Sequence, residues 1–333
     1  MSRRPLRIRD VAVHAGVSPA TVSRVLTGNA AVSADKREHV LAAIDALGYR
    51  PNRIASNLRR QQVDMIGVVV SDIENPHFTE MVRAVEDAAY LSGYRMLLCN
   101  TDENPAKQAD YLSVLAAERV VGVILSPTDA RAPEIVELLD HGIPVVAFDR
   151  AVADRRADAV VVDNLAGTRL GAEHLLARGH TRIGFVGGPP TVETAEARLV
   201  GYRQAMDAAD LPPWVADGGF RIEGGCAAAA GLLDDGVTAL LVANNLMAIG
   251  ALEAIRERGL RVPHEVALVS IDDPFWAGLI DPPLTTLAQP VREMAEASVR
   301  LLMRRLAGTR SRGRRLTFDL ELRHRGSCCP GEA

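Results

Sequence analysis

Long apolar runs are missing from this sequence. No stretch approaches the roughly eighteen residues of a membrane span, and the opening residues MSRRPLRIRD lack the apolar stretch of a secretory signal. We therefore expect a cytoplasmic protein with no membrane partner. The remaining composition is ordinary for a globular chain, with 48% hydrophobic and 24% charged residues. A length of 333 residues is typical of two or three domains.

Catalytic signatures are also missing. No G-x-G-x-x-G follows a predicted strand, and there is no Walker phosphate loop, nucleophile elbow or H-E-x-x-H pair. We therefore expect neither an enzyme nor a cofactor. The sequence holds only 4 cysteines, without disulfide or zinc-finger spacing. Cys99 and Cys226 lie in apolar surroundings typical of reduced core residues.

The other two cysteines lie near the C-terminus, a few residues after a histidine. His324 precedes Cys328 and Cys329, but this spacing is not typical of a metal site, and a frayed tail is favoured. His174 and His180 flank a predicted helix end, where a surface or capping role is favoured over metal binding. The sequence therefore predicts no metal site.

Charge is distributed unevenly along the chain. The net charge is -4, yet residues 1–62 hold 11 Lys and Arg against 4 acidic residues, a net charge of +7. The other 271 residues therefore carry -11. A basic head on an acidic body suggests that the head binds a polyanion.

The stretch DVAVHAGVSPATVSRVLTG, from Asp10 to Gly28, predicts two short helices around a tight break at 15–17. Ser18 is a favoured N-cap, and Pro19 suits the first helical position. The apolar residues of the second helix recur at helical spacing, so that Arg24 faces outward. This arrangement is typical of the DNA-binding helix-turn-helix, although an ordinary helical hairpin gives a similar pattern.

A third helix is predicted from Ala34 to Leu47, with Ser33 as its cap and Gly48 beyond its end. Its apolar stripe closes a small three-helix core. Residues 51–62 are too short and too polar for a stable isolated helix. They are either a plain linker or a segment that orders on a partner.

From Met65 the pattern changes to apolar strands alternating with amphipathic helices. Predicted strands are 66–70, 95–99, 120–125, 145–148, 183–186, 239–243 and 266–271. Such alternation indicates α/β structure with parallel sheets, and two successive blocks indicate two lobes with a cleft between them.

Polar residues follow four of these strands, where open α/β sheets bind ligands. They are Ser71, Asp149, Asn244 and Asp272. Their oxygen and amide groups suit a polyhydroxylated ligand, and Arg198 can bridge two ligand oxygens. Nearby aromatic residues that suit an apolar ring face are Phe78, Phe220 and Trp276.

Six motifs in family order resemble the LacI/GalR family of bacterial transcription regulators, from about Asp10 to Gly326. They are DVAVHAGVSPATVSRVLTG, VSADKREHVLAAIDALGYRPNRIASNL, HLLARGHTRIGFVGGP, ARLVGY, VANNLMAIGAL and SIDDPFWAGLIDPPLTTLAQP. The resemblance implies an α/β protein with a small all-α helix-turn-helix headpiece and a two-lobed core like that of periplasmic binding proteins. The expected division is a headpiece at 1–50, a hinge helix and linker at 51–63, a core at 64–326 and a tail at 327–333. Within the core we expect one lobe at 64–162 and 291–319, and the other at 163–290 and 320–326.

The resemblance also implies DNA-binding residues in the headpiece and hinge. The recognition helix corresponds to Ser18–Leu26, where Pro19, Ala20 and Arg24 face base edges and Thr21 and Ser23 face phosphates. Arg24 is the side chain able to make a bidentate contact with guanine. By position, Thr27 and the hinge residues Asn52, Arg53, Ala55 and Leu58 join this set. Leu58 and its two-fold mate are expected to wedge into the minor groove of a palindromic operator.

The same resemblance implies an effector site in the cleft for a sugar or related polyol. Its expected residues are Ser71, His77, Phe78, Asp149, Arg150, Arg198, Phe220, Asn244, Asp272 and Trp276. The expected protein is a homodimeric, ligand-responsive regulator, most simply a repressor of carbohydrate-utilisation genes.

Three positions depart from the family pattern. Arg7 replaces the usual Thr or Ser before the first helix, and Thr27 replaces an asparagine. Asn245 replaces the aspartate of a common Asn-Asp pair, which we expect to remove a negative charge from the cleft rim. Two alternative functions share part of this pattern. A transport-class binding protein would need a signal sequence and no basic head, and a sugar-modifying enzyme would need a phosphate loop or a poised base.

Overall fold

The computed structural model describes residues 6, 8–26, 32–47, 63–309 and 311–329. The chain separates into two compact units, Met1–Val63 and Asp64–Ala333. We call the first the headpiece and the second the core, and each is described by itself. None of the described helices is long and apolar enough to cross a membrane.

The headpiece contains three helices, α1 (Ile8–His14), α2 (Pro19–Leu26) and α3 (Ala34–Leu47). Their apolar faces form one small cluster of buried residues: Val11, Ala12, Val22, Val25, Val40 and Ala43. The predicted bounds of α2 and α3 are confirmed. Helix α1 begins two residues before the predicted Asp10, since Ile8 also packs against the cluster.

The described residues of the core form two six-stranded sheets. The first has the order β11-β5-β4-β3-β1-β2, and all of its described strand pairs are parallel. Its strands are β1 (Val63–Val70), β2 (Arg95–Asn100), β3 (Val120–Leu125), β4 (Val145–Phe148), β5 (Asp158–Val162) and β11 (Arg315–Phe318). We call this sheet and the helices that flank it the first lobe.

The second sheet has the order β12-β10-β9-β8-β6-β7, with β12 antiparallel to β10 at one edge. Its strands are β6 (Ile183–Gly187), β7 (Trp214–Asp217), β8 (Ala239–Val242), β9 (Ala267–Ile271), β10 (Thr285–Ala288) and β12 (Glu321–Arg323). This sheet and its helices are the second lobe. The predicted parallel α/β structure is confirmed, but β5, β7, β10, β11 and β12 were not predicted as strands.

Helices cover the faces of both sheets. Those of the first lobe are α4 (Pro76–Leu91), α5 (Pro105–Ala117), α6 (Pro133–Asp140) and α11 (Val291–Leu306). Those of the second lobe are α7 (Asn164–Leu176), α8 (Glu193–Ala208), α9 (Ile222–Asp234) and α10 (Asn245–Glu257). The chain crosses between the lobes after β5, after β10 and after β11. The lobes are therefore joined by three connecting segments of the chain.

The prediction of a tail from residue 327 is wrong for its first residues. Gly326–Cys328 form a short 3₁₀ helix in which Ser327 and Cys328 are buried. The Ser327 hydroxyl donates to the carbonyl oxygen of Leu268 at 2.6 Å and accepts from the Thr285 amide at 2.8 Å. These bonds attach the segment to the second sheet, a constraint that comes from residues more than forty positions away.

Candidate functional site

The recognition helix α2 begins as its sequence predicts. The Ser18 hydroxyl accepts a hydrogen bond from the Thr21 amide at 3.1 Å, which satisfies one of the unpaired donors of the first turn. Val22 and Val25 point into the headpiece core. As a result Pro19, Ala20 and Arg24 are exposed, while Thr21 and Ser23 are half-buried beside them.

The exposed face of α2 carries two small side chains and one long cationic side chain. Proline and alanine add little bulk beside the long guanidinium of Arg24, which is the one exposed side chain of α2 with five donors. The remaining predicted DNA-binding residues, Thr27, Asn52, Arg53, Ala55 and Leu58, lie outside the described residues.

In the core, a small cavity lies between the two lobes. It measures about 30 Å³, and we call it the interlobe cavity; its lining consists of Asp72, Asn75, His77, Phe78, Glu103, Asp149, Arg150, Thr194, Arg198, Phe220, Asn244, Asp272 and Gln289. Eight of the ten predicted effector residues are in this set. Ser71 and Trp276 are not: Ser71 is fully buried behind the wall, and Trp276 packs against the core.

Asp149 and Asp272 occupy matching places in the two lobes. Asp149 follows β4 with φ 66°, and Asp272 follows β9 with φ 71°. Each backbone amide bonds the neighbouring strand, Asp149 to the carbonyl of Val160 and Asp272 to that of Leu287, both at 3.0 Å. Left-handed backbone is tolerated by aspartate better than by most residues. Each sheet therefore places one carboxylate at the carboxyl ends of its strands, and both carboxylates line the same cavity.

Arg198 is held rigidly at the base of the cavity. Its Nε donates to Asn164 Oδ1 at 2.6 Å, and its Nη1 donates to the carbonyl oxygen of Ala243 at 2.7 Å. Burial lowers the pKa of this guanidinium, while Asp272 and Asp149 act to raise it. Three residues further along α8, Gly201 allows a close approach, because a Cβ there would lie 2.2 Å from the Leu165 carbonyl oxygen.

Arg150 is the second cationic side chain of the cavity and belongs to the first lobe, whereas Arg198 belongs to the second. Its Nη1 and Nη2 donate to the two carboxylate oxygens of Glu103 at 2.8 and 2.6 Å, a bidentate pair. Burial disfavours the charged guanidinium, but the hydrogen bonds and charge of Glu103 outweigh it and raise the Arg150 pKa. The Phe220 ring lies 6.0 Å from the guanidinium carbon. The cavity thus combines fixed cations, carboxylates and an aromatic face.

Three side chains on the cavity wall carry buried polar atoms that have no hydrogen-bond partner among the described residues. The four atoms are Nδ1 and Nε2 of His77, Nε of Arg150 and Oε1 of Gln289. Buried polar groups in native proteins are almost always hydrogen-bonded, since each unpaired group costs about 1–3 kcal/mol. Two of these atoms lie near carboxylates, His77 Nδ1 at 3.8 Å from Asp272 Oδ1 and Arg150 Nε at 3.6 Å from Asp149 Oδ2, too far for a hydrogen bond. A polar ligand in the cavity can supply the missing hydrogen bonds.

Two sets of contacts close the lobes over the cavity. Arg221, at the start of α9, donates to Asp72 Oδ2 at 3.0 Å and to Asp102 Oδ1 at 2.9 Å in the first lobe. Asn245 Nδ2 donates to Asn75 Oδ1 at 2.8 Å across the lobes, and to Asp272 Oδ2 at 2.9 Å within its own lobe. We call these contacts the interlobe latch. The predicted place of Asn245 at the cleft rim is wrong, because its side chain is fully buried between the lobes.

The headpiece and core each match a known domain. The model "Bacterial regulatory proteins, lacI family" matches residues 7–52, and "Periplasmic binding protein-like domain" matches residues 172–328. A ribose operon repressor of Halalkalibacterium halodurans is 38% identical over 301 residues, which cover 90% of each chain. The chain belongs to the LacI family. The family resemblance inferred from six sequence motifs is therefore confirmed.

Solved structures of LacI-family proteins agree with both parts of the fold. A lac repressor dimer bound to operator and the anti-inducer ONPF is 31% identical, with a TM-score of 0.85, covering 97% of this chain and 99% of that one. A LacI-family regulator from Enterococcus faecium with bound ribose is 30% identical, with a TM-score of 0.75, covering 80% of this chain and 99% of that one.

Five residues of the interlobe cavity were not predicted. They are Asp72, Asn75, Glu103, Thr194 and Gln289. Gln289 follows β10, whose sequence TTLA begins with two threonines and therefore gives no continuous apolar run. Asp72 stands directly after the predicted Ser71 and could have been found by extending each strand end by one position.

The interlobe latch predicts a measurable effect of Arg221→Gln. Both of its ion pairs join the lobes, and exposed or half-exposed pairs are worth about 0.2–1 kcal/mol each. The loss of both pairs should lower the equilibrium constant for closure by about 2- to 30-fold. Small-angle scattering should then give a larger radius of gyration for the variant than for the wild type.

A matched control is Arg258→Gln. Arg258 pairs with Asp234 at 2.9 Å, but both residues belong to the second lobe. Its loss should leave the radius of gyration unchanged. Equal radii for the wild type and Arg221→Gln would show that these pairs do not hold the lobes together.

Proposed function

We propose that this protein is a transcriptional repressor whose affinity for operator DNA is controlled by a polyhydroxylated ligand in the interlobe cavity. The observation that carries the proposal is the set of buried polar atoms without a hydrogen bond on the cavity wall, on His77, Arg150 and Gln289. A ligand that supplies both donors and acceptors would satisfy them. We propose a binding role for this site and no reaction.

A sugar or related polyol fits the chemistry of the cavity best. The carboxylates of Asp149 and Asp272 accept hydrogen bonds from hydroxyl groups, and Arg198 donates to hydroxyl oxygens. Phe220 offers a flat apolar surface to the carbon face of a ring. Its relatives support this choice, since one is named a ribose operon repressor and another structure contains ribose.

Ligand entry requires the lobes to separate. The cavity of about 30 Å³ has room for about two or three water molecules. A monosaccharide is several times larger, so that it can enter only if the interlobe latch opens. We propose that opening and reclosure around the ligand is the conformational change that the hinge transmits to the headpiece.

Two copies of the chain are needed to read DNA. One short recognition helix contacts only a few base pairs, and a two-fold dimer reads two half-sites of a palindrome. The lac repressor structure that this chain resembles is a dimer bound to operator. We propose the same assembly here, in the cytoplasm where its DNA partner lies, with Leu58 as the minor-groove wedge of each hinge.

The test is a thermal-shift screen of the full chain against sugars, polyols and nucleosides, followed by operator binding with each hit. A ligand that binds the folded protein raises its unfolding temperature. We expect a sugar or polyol to do so and to change the affinity for a palindromic site at fixed salt concentration. A protein that binds no palindrome in a salt-dependent manner, with or without any hit, would contradict the proposal.

A further inference from the structure

A group of metal-binding side chains meets at the end of the second lobe, away from the interlobe cavity. His174 is in the last turn of α7, whereas His324 follows β12 and Cys328 ends the 3₁₀ helix. The ligand atoms of these three residues all lie within 4.8 Å of one another. The fold therefore brings together residues that are about 150 positions apart in the chain.

From this cluster we infer a binding site for a zinc-class cation, formed by His174 Nε2, His324 Nδ1 and Cys328 Sγ. The Cys328 sulfur lies 3.3 Å from His174 Nε2 and 3.5 Å from His324 Nδ1. Zinc–sulfur bonds of about 2.3 Å and zinc–nitrogen bonds of about 2.05 Å at a tetrahedral angle give an N–S separation of about 3.6 Å. Both sulfur–nitrogen separations are therefore close to those of a tetrahedral ion, and the ligand atoms of the two imidazoles lie within 4.8 Å of each other.

A fourth position remains beside the three donors. Cys329 Sγ is 3.9 Å from Cys328 Sγ, close to the roughly 3.8 Å between two thiolates on one zinc ion. This sulfur or a water molecule can complete the tetrahedron. Because two imidazoles and one or two thiolates favour zinc and its neighbours over calcium or magnesium, the cation class follows from the donors.

The surroundings of the three donors also suit a bound cation. Cys328 is buried and His174 nearly so, whereas His324 is exposed, which leaves a path for an ion to enter. The His174 ring is neutral at physiological pH, because burial, with Arg178 and His324 nearby, lowers its pKa to about 4. Burial raises the pKa of the Cys328 thiol to about 11, so that a metal ion must displace this proton.

Binding has a defined proton balance. A metal–sulfur bond forms as the Cys328 thiol proton leaves for solvent, and no electrons are transferred. Arg178 Nη1 lies 3.1 Å from His174 Nδ1 and donates to it, which places the ring proton on Nε2. The ion takes the Nε2 lone pair, so this proton moves to Nδ1. Arg178 keeps two other acceptors, the His174 carbonyl oxygen and Cys329 Sγ.

The site would fasten the C-terminal segment to the second lobe. His174 belongs to α7, while Cys328 contacts Thr285 of β10 at 3.3 Å and His324 leaves the edge strand β12. A cation bound by these residues joins a helix to the sheet edge. This role is independent of operator and effector binding, so its test does not depend on them.

The experiment is a titration of the full-length, reduced, metal-free protein with Co²⁺, followed by displacement with Zn²⁺. Tetrahedral Co²⁺ absorbs strongly in the visible region, and a thiolate ligand adds a charge-transfer band in the near ultraviolet. We expect one Co²⁺ per chain with both signals, and loss of both when Zn²⁺ is added. Zn²⁺ should also raise the unfolding temperature by about 3 °C or more.

Variants assign the signals to the proposed ligands. Cys328→Ser should weaken the charge-transfer band, and Cys328→Ser combined with Cys329→Ser should abolish it. His324→Ala should weaken Co²⁺ binding at least tenfold. His324 is exposed, so its variant is expected to fold even if substitution of the buried Cys328 disturbs the core. Cys226→Ser and His180→Ala are matched controls of the same residue types outside the cluster and should bind Co²⁺ as the wild type does.

Three results would overturn the proposal. These are the absence of a thiolate charge-transfer band in the wild type, its persistence when both Cys328 and Cys329 are replaced by serine, and equal Co²⁺ affinity in the wild type and His324→Ala. Loss of binding in Cys226→Ser would also contradict it, because that result would place the thiolate elsewhere.

Discussion

Arg198→Ala is expected to abolish the response to the effector while leaving operator binding intact. The guanidinium is fully buried at the base of the interlobe cavity, with two short hydrogen bonds that fix its direction. Truncating one partner of a buried, hydrogen-bonded charge costs about 2–5 kcal/mol of binding energy. We therefore expect effector affinity to fall by about 30-fold or more, measured by calorimetric titration with the ligand identified in the screen.

The substitution also removes internal contacts, and the control must separate these two effects. Asn164 Oδ1 and the Ala243 carbonyl oxygen lose their donor, so the unfolding temperature of Arg198→Ala should fall as well. Arg203→Ala, on the exposed side of the same helix, should change neither property. If Arg198→Ala still folds, binds operator and responds to the effector with wild-type affinity, the assigned role of Arg198 is wrong.

Arg24→Ala is expected to relax base preference at one position of each operator half-site. Arg24 is exposed on α2 beside the small side chains of Pro19 and Ala20. A bidentate arginine–guanine contact is worth about 1–3 kcal/mol of discrimination, which is roughly 5- to 150-fold. Binding to a series of operators substituted one base pair at a time measures this preference directly.

Arg24→Lys distinguishes a base contact from a phosphate contact. Lysine keeps the charge but loses the planar pair of donors. If Arg24 reads a base, the lysine variant should lose discrimination nearly as the alanine variant does, while keeping most of the salt dependence of binding. Uniform weakening across the whole operator series would instead assign Arg24 to a phosphate.

The headpiece could be predicted from its sequence because its structure is determined locally. The cap at Ser18, the proline at position 19 and the apolar spacing of α2 all act within one or two turns of helix. The same holds for strands such as β3 and β4, whose predicted bounds are those of the structure. Each is a continuous apolar run of the kind typical of a buried parallel strand.

The interlobe cavity could be predicted in part. Asp149, Asn244 and Asp272 each follow a recognisable strand, and carboxyl ends of parallel strands meet at one edge of a sheet. Glu103 and Gln289 could not be found in this way. Glu103 lines the cavity because it pairs with Arg150, which lies 47 positions away, and Gln289 follows a strand that begins with two threonines instead of an apolar run.

The sequence by itself determined the class of protein and the parallel sheets, because helix caps, apolar periodicity and strand ends are properties of neighbouring residues. Only the tertiary structure decided which lobes Arg221 and Asn245 join, and that His174 meets Cys328 across 154 positions. Such contacts depend on how the sheets and helices pack in space. No local sequence pattern predicts these contacts, since the partners lie on different elements of the fold.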